Sequence, residues 1–311
     1  MNSNLAFVFP GQGSQKIGML AELAAANPLV EETFKEASDV LGYDTWKLIQ
    51  EGEQEDINLT ERTQPLLLTS SVAIWRLWQQ QGGPLPAAMA GHSLGEWSAL
   101  VCAGVVKFAD AVEIVRARGA FMQQAVPVGV GAMAAIMGVD DQLVIDACAE
   151  AAEDQIAAAV NFNAPGQVVI AGDAAAVARA VDICKKAGAK RAVELPVSAP
   201  FHTSLMRPAA DNLAELVAQK EFSAPQIPVL HNVHAQPETD PEAIKKLMLE
   251  QIYQPVLWVD CVNGLSSRGA EILIECGPGR VLNGLSKRID RGLTSLATDD
   301  VASLENALTS V

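Results

Sequence analysis

The sequence predicts an α/β fold: a mostly parallel sheet flanked by helices, with a small ferredoxin-like βαββαβ subdomain inserted into it. Three observations carry this expectation. Short continuous apolar runs alternate with long amphipathic stretches, as expected for strands buried on both faces between helices. A middle segment changes to the order βαββαβ. A serine between two glycines sits where an apolar run meets a helix, in Gly91-His92-Ser93-Leu94-Gly95.

Taken in order, Leu5 to Phe9 is an apolar run closed by Pro10-Gly11, a buried strand. Pro65 to Gln81 and Asp110 to Ala125 read as amphipathic helices. Between them, Ala87 to Ala90 is the strand before the serine turn, and Glu96 to Val101 opens the helix after it. From Gly131 the chain reads as strand (Ala132 to Met137), helix (Asp141 to Glu150) and two strands (Ile156 to Asn161, Gln167 to Ala171) joined by the turn Asn163 to Gly166. A helix (Ala174 to Ala187) and a strand (Arg191 to Leu195) complete this block. Pro127 to Gly129 and Pro196 to Pro200 bracket it as crossing points. Residues 128–197 therefore form the expected small subdomain, and 1–127 with 198–311 the large one. Ile227 to Leu230, Glu271 to Glu275 and Leu293 to Leu296 supply the remaining strands.

Composition narrows the function classes. Half of the 311 residues are hydrophobic, enough for a sizeable core. No continuous apolar run approaches the ~20 residues of a membrane span. The N-terminus lacks a basic stretch, and Leu5 to Phe9 is too short for a signal sequence, so a cytoplasmic location is expected. The five cysteines are scattered without a C-x-x-C pair, which suggests reduced thiols rather than a metal site or disulfides. Cys102, inside an apolar helix, reads as core. A net charge of −15 argues against nucleic acid and anionic membrane as partners. Basic residues nevertheless collect at Lys185, Lys186, Lys190 and Arg191, and again at Arg280, Lys287, Arg288 and Arg291. Each cluster is either a solvated helix face or a landing zone for a phosphate or an acidic protein.

The serine turn has the arrangement of a nucleophile elbow, the feature that makes the expected large sheet hydrolase-like. Its glycines permit the sharp bend, and the amide of Leu94 falls at a helix N-terminus, where it can stabilise an oxyanion. A serine nucleophile needs a base, and four histidines are available. His92 adjoins Ser93, but neighbouring side chains diverge at a tight turn. His202, in Ser198-Ala199-Pro200-Phe201-His202-Thr203, follows the return from the small subdomain, where a loop can face a cleft. His231 and His234 have no carboxylate or thiol ligand close by and read as roleless. Arg118 falls near the middle of the apolar face of its helix, with Val115, Gly119 and Met122. An inward guanidinium requires an anion, either a structural carboxylate or that of a substrate, which its fork matches with two hydrogen bonds. Gly11-Gln12-Gly13 would lie beside the serine turn if the two strands neighbour each other, making the Gln12 amide a second oxyanion donor. The next glycine, Gly18, has the wrong spacing for a dinucleotide loop.

Together these residues resemble the malonyl-CoA:acyl carrier protein transacylases, an acyltransferase family of fatty acid and polyketide synthesis. The resemblance spans essentially the whole chain. It includes Phe9 to Gln15, Thr63-Gln64-Pro65, Gly91 to Glu96, Arg116 to Gly119, Pro196 to His202, Gln251 to Pro255 and Gly277-Pro278-Gly279. It implies Ser93 as nucleophile, His202 as base, Arg118 as anchor of the malonyl carboxylate, and the Gln12 and Leu94 amides as oxyanion donors. It also implies that the Gln251 backbone carbonyl orients His202. Gln64, His92, Asn161 and Phe201 are further candidates for the pocket. Leu94 and Phe201 match malonyl rather than methylmalonyl selection, whereas Pro200 departs from the alanine usual in the synthase enzymes. The implied partners are malonyl-CoA and acyl carrier protein, with docking candidates Lys185, Lys186, Lys190, Arg191, Arg280, Lys287 and Arg288, and no cofactor or metal. Three rival readings are a serine hydrolase or thioesterase using the same elbow, an acyltransferase loading polyketide carriers, and a non-catalytic binding module.

Overall fold

In the computed structural model residues 2–197 and 199–311 are described; Ser198, in the segment leading to His202, lies outside the described residues. The strands are β1 (Asn2–Phe9), β2 (Pro86–Gly91), β3 (Gly131–Met137), β4 (Ala157–Ala164), β5 (Gln167–Asp173), β6 (Arg191–Glu194), β7 (Val229–Leu230), β8 (Ile272–Glu275) and β9 (Thr294–Ala297). Five of them form a sheet in the order β7-β2-β1-β8-β9, with every pairing parallel.

β1 is central, and its alternating side chains divide the core. Leu5, Phe7 and Phe9 face one side, Ala6 and Val8 the other. On the first side Phe7 meets Trp75 and Trp78 of the helix Thr60–Gln80 edge-on, with ring centroids 5.2 and 5.1 Å apart. Burying each such ring is worth roughly 2–3 kcal/mol. The small residues of the second side leave room for Trp258, Cys261, Val262 and Leu265, one face of the helix Trp258–Ser267.

The second sheet is antiparallel, in the order β4-β5-β3-β6. One face, with Ala134, Ile136, Val168 and Ile170, packs on the helices Asp141–Ala152 and Ala174–Lys186. The opposite face, with Met133, Val160 and Val169, joins the main core. The observed element order is the expected βαββαβ.

Some boundaries differ from expectation. β4 runs on to Ala164, which pairs with Gln167 across Pro165 and Gly166, and Gly166 adopts φ 68°. A two-residue turn with a left-handed glycine replaces the longer loop. β7 is two residues shorter at its start because Pro228 has no N–H to donate; its carbonyl accepts from Met89 N–H at 2.8 Å. The helix bearing Gln64 begins at Thr60, ahead of Pro65, its first turn closed by Thr63 N–H to Leu59 O at 2.8 Å. No helix among the described residues is long and apolar enough to cross a membrane.

Candidate active site

The serine turn is built by three glycines. β1 and β2 pair with Phe9 opposite Gly91, so the loop after β1 abuts the turn after β2. A Cβ on Gly91 would lie 2.0 Å from the Gly95 carbonyl group, and one on Gly95 2.0 Å from Phe9 O. A Cβ on Gly11 would lie 2.5 Å from His92 O. No other residue fits at these positions without moving backbone. The compression leaves Ser93 at φ 50°, ψ −106°, a strained conformation for a non-glycine residue. The helix Leu94–Cys102 starts at the next residue, so the Leu94 N–H belongs to its unpaired first turn.

Ser93 Oγ lies 2.8 Å from His202 Nε2. His202 is itself in the left-handed region at φ 64°, in a loop braced by Thr203 Oγ1 donating to Pro200 O at 2.8 Å. Its Nδ1 lies 2.8 Å from the backbone oxygen of Gln251, the residue ending the helix Pro241–Glu250. A carbonyl only accepts, so Nδ1 carries the proton and Nε2 is free to take one from serine. The carbonyl needs a partner in any case, being among the last four of its helix. Burial, followed by the positive charge of Arg118, pushes the His202 pKa down to about 3.

Arg118 is buried on the helix Phe108–Gln124. Gly119 lets that helix approach the one starting at Thr60, since a Cβ there would lie 2.5 Å from Thr60 O. The approach brings Gln64 to the guanidinium: Nη1 donates to Gln64 Oε1 at 2.8 Å, while Nη2 donates to Gln251 Oε1 at 2.8 Å and Ser93 Oγ at 3.3 Å. Arg118 Nε is buried without a partner, and among the described residues no carboxylate pairs with this arginine. Burial lowers its pKa to about 10, which leaves it charged at neutral pH. The guanidinium is therefore held by neutral amide oxygens and aimed at the serine.

A cavity of about 120 Å³ gathers the expected residues Gln12, Gln64, His92, Ser93, Leu94, Arg118, Asn161, Phe201 and His202. Met122, Met133, Leu195 and Val197 complete its apolar wall. Gln251 reaches the same group through His202 and Arg118. Asn161 Oδ1 is buried without a partner. His92 is engaged with another partner, its Nε2 2.7 Å from Asn163 Oδ1. A larger groove of about 870 Å³ near Pro28, Tyr43 and Trp46 is open to solvent and holds no nucleophile–base pair.

Three buried residues around the site were not anticipated. Asn232 Oδ1 accepts from Ser93 N–H at 2.8 Å, and Asn232 Nδ2 donates to Gly91 O at 2.7 Å, so this side chain staples the elbow. The Glu96 carboxylate accepts from Asn232 N–H at 3.0 Å and lies 2.7 Å from His231 Nδ1. His231 thus has a structural role that its sequence context did not reveal. Two signals were present: a carboxylate in the otherwise apolar helix Leu94–Cys102, and polar residues just past the carboxyl end of a parallel strand.

Arg288 of one basic cluster and Lys190 and Arg191 of the other, distant in sequence, come to neighbouring turns. Arg288 bonds Gln167 Oε1, and Gly138 N–H donates to Gly166 O at 2.9 Å. Lys190 N–H donates to Met137 O at 2.9 Å, which brings Lys190 and Arg191 to the same turn. Arg280 differs, being paired with Asp299 at 3.0 Å and Asp300 at 2.8 Å.

Known proteins share this whole architecture. The family model for the acyl transferase domain matches residues 6–302. The malonyl CoA-acyl carrier protein transacylase of Salmonella typhimurium is 59% identical over 307 residues, 99% of either chain. That of Escherichia coli (strain K12) is 58% identical over 98% of this chain and 99% of its own. The crystal structure of an acyl carrier protein S-malonyltransferase from Vibrio cholerae matches with TM-score 0.97 and 58% identity, over 98% of this chain and 100% of that one. A malonyl-transacylase solved in complex with a type II PKS acyl-carrier protein matches with TM-score 0.98 and 55% identity, over 99% of this chain and 100% of that one. The chain belongs to the malonyl CoA-acyl carrier protein transacylase family of acyl transferases.

Proposed function

We propose that this protein moves a malonyl group from malonyl-CoA to the pantetheine thiol of acyl carrier protein through a malonyl-Ser93 intermediate. The observation that carries the reading is the buried Arg118, unpaired with any acid among the described residues and 3.3 Å from Ser93 Oγ. In the first half-reaction His202 Nε2 takes the Ser93 proton as Oγ attacks the thioester carbonyl. The oxyanion rests on the Gln12 and Leu94 N–H groups; losing one such donor typically costs ~10²–10³ in rate. As the tetrahedral intermediate collapses, the carbon–sulfur bond breaks and coenzyme A leaves with the proton from His202. In the second, His202 deprotonates the carrier thiol, which takes the malonyl group and releases Ser93 with its proton. Arg118 holds the free carboxylate in both. The group stays in acyl linkage throughout, so the reaction calls for no cofactor or metal, and we assign it to the cytoplasm.

A hydrolase of the same elbow would not require an unpaired cation beside its nucleophile. Supply of polyketide carriers is a second reading, favoured by the 55% identity to the malonyl-transacylase solved with a type II PKS acyl-carrier protein. We assign carrier docking to the edge formed by Lys185, Lys186, Lys190, Arg191, Lys287 and Arg288, because an enzyme of net charge −15 needs a local positive face for an acidic partner. Arg280 contributes less, its charge being met by Asp299 and Asp300. Mixing the enzyme with malonyl-CoA and weighing the intact protein tests the intermediate. One added malonyl group, absent in Ser93→Ala, is expected; no adduct, or an adduct that survives the substitution, contradicts the reading.

A further inference from the structure

Glu96 is a fully buried carboxylate that the mechanism above does not use. It stands on the first turn of the helix that follows Ser93. Its Oε1 lies 2.7 Å from His231 Nδ1, and its Oε2 accepts from Gln251 Nε2 at 2.8 Å. The same Gln251 nitrogen donates to Ser93 O at 2.9 Å. Both amide hydrogens are thereby committed to one side, and Oε1 must face the other way, where it meets Arg118 Nη2 at 2.8 Å. The flipped amide would set its oxygen against the carboxylate and its NH2 against the guanidinium, two repulsive contacts.

We propose that Glu96 is a positioning residue for acyl-group selection: by fixing the Gln251 amide it holds the Arg118 guanidinium against Ser93, with Gln251 as the spacer that keeps the two buried charges apart. Direct pairing would occupy the fork that a substrate carboxylate needs, whereas removing the acid leaves the cation with no opposite charge nearby. The inference rests on Arg118 being the carboxylate anchor.

The test is the ratio of kcat/KM for Ser93 loading from malonyl-CoA to that from acetyl-CoA. Glu96→Met should lower this ratio roughly tenfold, the scale of one hydrogen bond to a charged group, chiefly through KM for malonyl-CoA. Glu96→Gln keeps an oxygen for Gln251, with His231 taking its other tautomer, and should restore most of the preference. Should Glu96→Met not fold, Glu96→Asp, which withdraws the carboxylate by one methylene, must show the same directional loss. An unchanged ratio, an equal loss with both donors, or a Glu96→Gln enzyme as unselective as Glu96→Met overturns the proposal. Arg118→Ala in the same assay separates the two claims. An unaltered ratio there overturns the reading of Arg118 itself, whereas a collapsed ratio there beside parallel losses in Glu96→Met overturns only the role of Glu96.

Discussion

Two charges that are not there explain much of the residue-scale chemistry: no acid pairs with Arg118, and no carboxylate stands behind His202 among the described residues. Under the proposed function, the free carboxylate of the acyl donor would fill the first absence. Arg118→Ala should therefore cut malonyl loading by about 3 kcal/mol, roughly a hundredfold, while acetyl loading changes far less. Comparable losses for both donors in single-turnover kinetics would contradict this. The second absence affects pH. A base works while neutral, so loading fails as pH falls through the His202 pKa. Burial and the Arg118 charge depress that pKa, and removing the charge raises it. In Arg118→Gln the acidic limb of acetyl loading should accordingly move to higher pH than in the parent enzyme. A limb that stays in place or moves lower would show that Arg118 does not act on His202. Ser93, His202 and Arg118 were legible because each combines an expensive residue type with a telling local pattern. Asn232, His231 and the Gln251 side chain were not, because their meaning lies in contacts such as Glu96 to Asn232, 136 positions apart.

At the scale of the element, the elbow is a collision avoided. Gly91 and Gly95 approach each other, and Gly95 approaches β1, more closely than any Cβ allows. Gly95→Ala should destabilise the fold by about 3 kcal/mol, the upper end of ordinary overpacking costs, and abolish loading even in folded protein. A variant with parental melting temperature and activity would refute the packing argument. This turn was readable because glycine spacing and strand-to-helix context are local signals. The βαββαβ block was readable for the same reason, its alternating strands being separated by clear breaks. The length of β7 was not, since Pro228 cuts it only once its neighbour β2 is known. The order of the parallel sheet was likewise hidden, because crossover helices carry no local mark of which strand lies beside which.

For the whole molecule, the small sheet lays one face on its own helices and the other on the main core. Met133, Leu195 and Val197 thereby close the site opened by β1 and β2. The turn at Pro165 and Gly166 carries the basic edge next to Asn163, the partner of His92. Reversing charge there, as in Lys287→Glu with Arg288→Glu, should slow transfer to carrier protein about tenfold at low salt, an effect that shrinks as salt rises. Loading from malonyl-CoA should change much less; equal slowing of both half-reactions would reject docking at this edge. Transfer of a malonyl group from one thiol to another through Ser93 can be followed by isolating the malonyl-enzyme and adding holo acyl carrier protein. The malonyl group is expected to leave Ser93 and appear as a thioester on the carrier; its release as free malonate at the same rate with or without carrier would contradict the transfer.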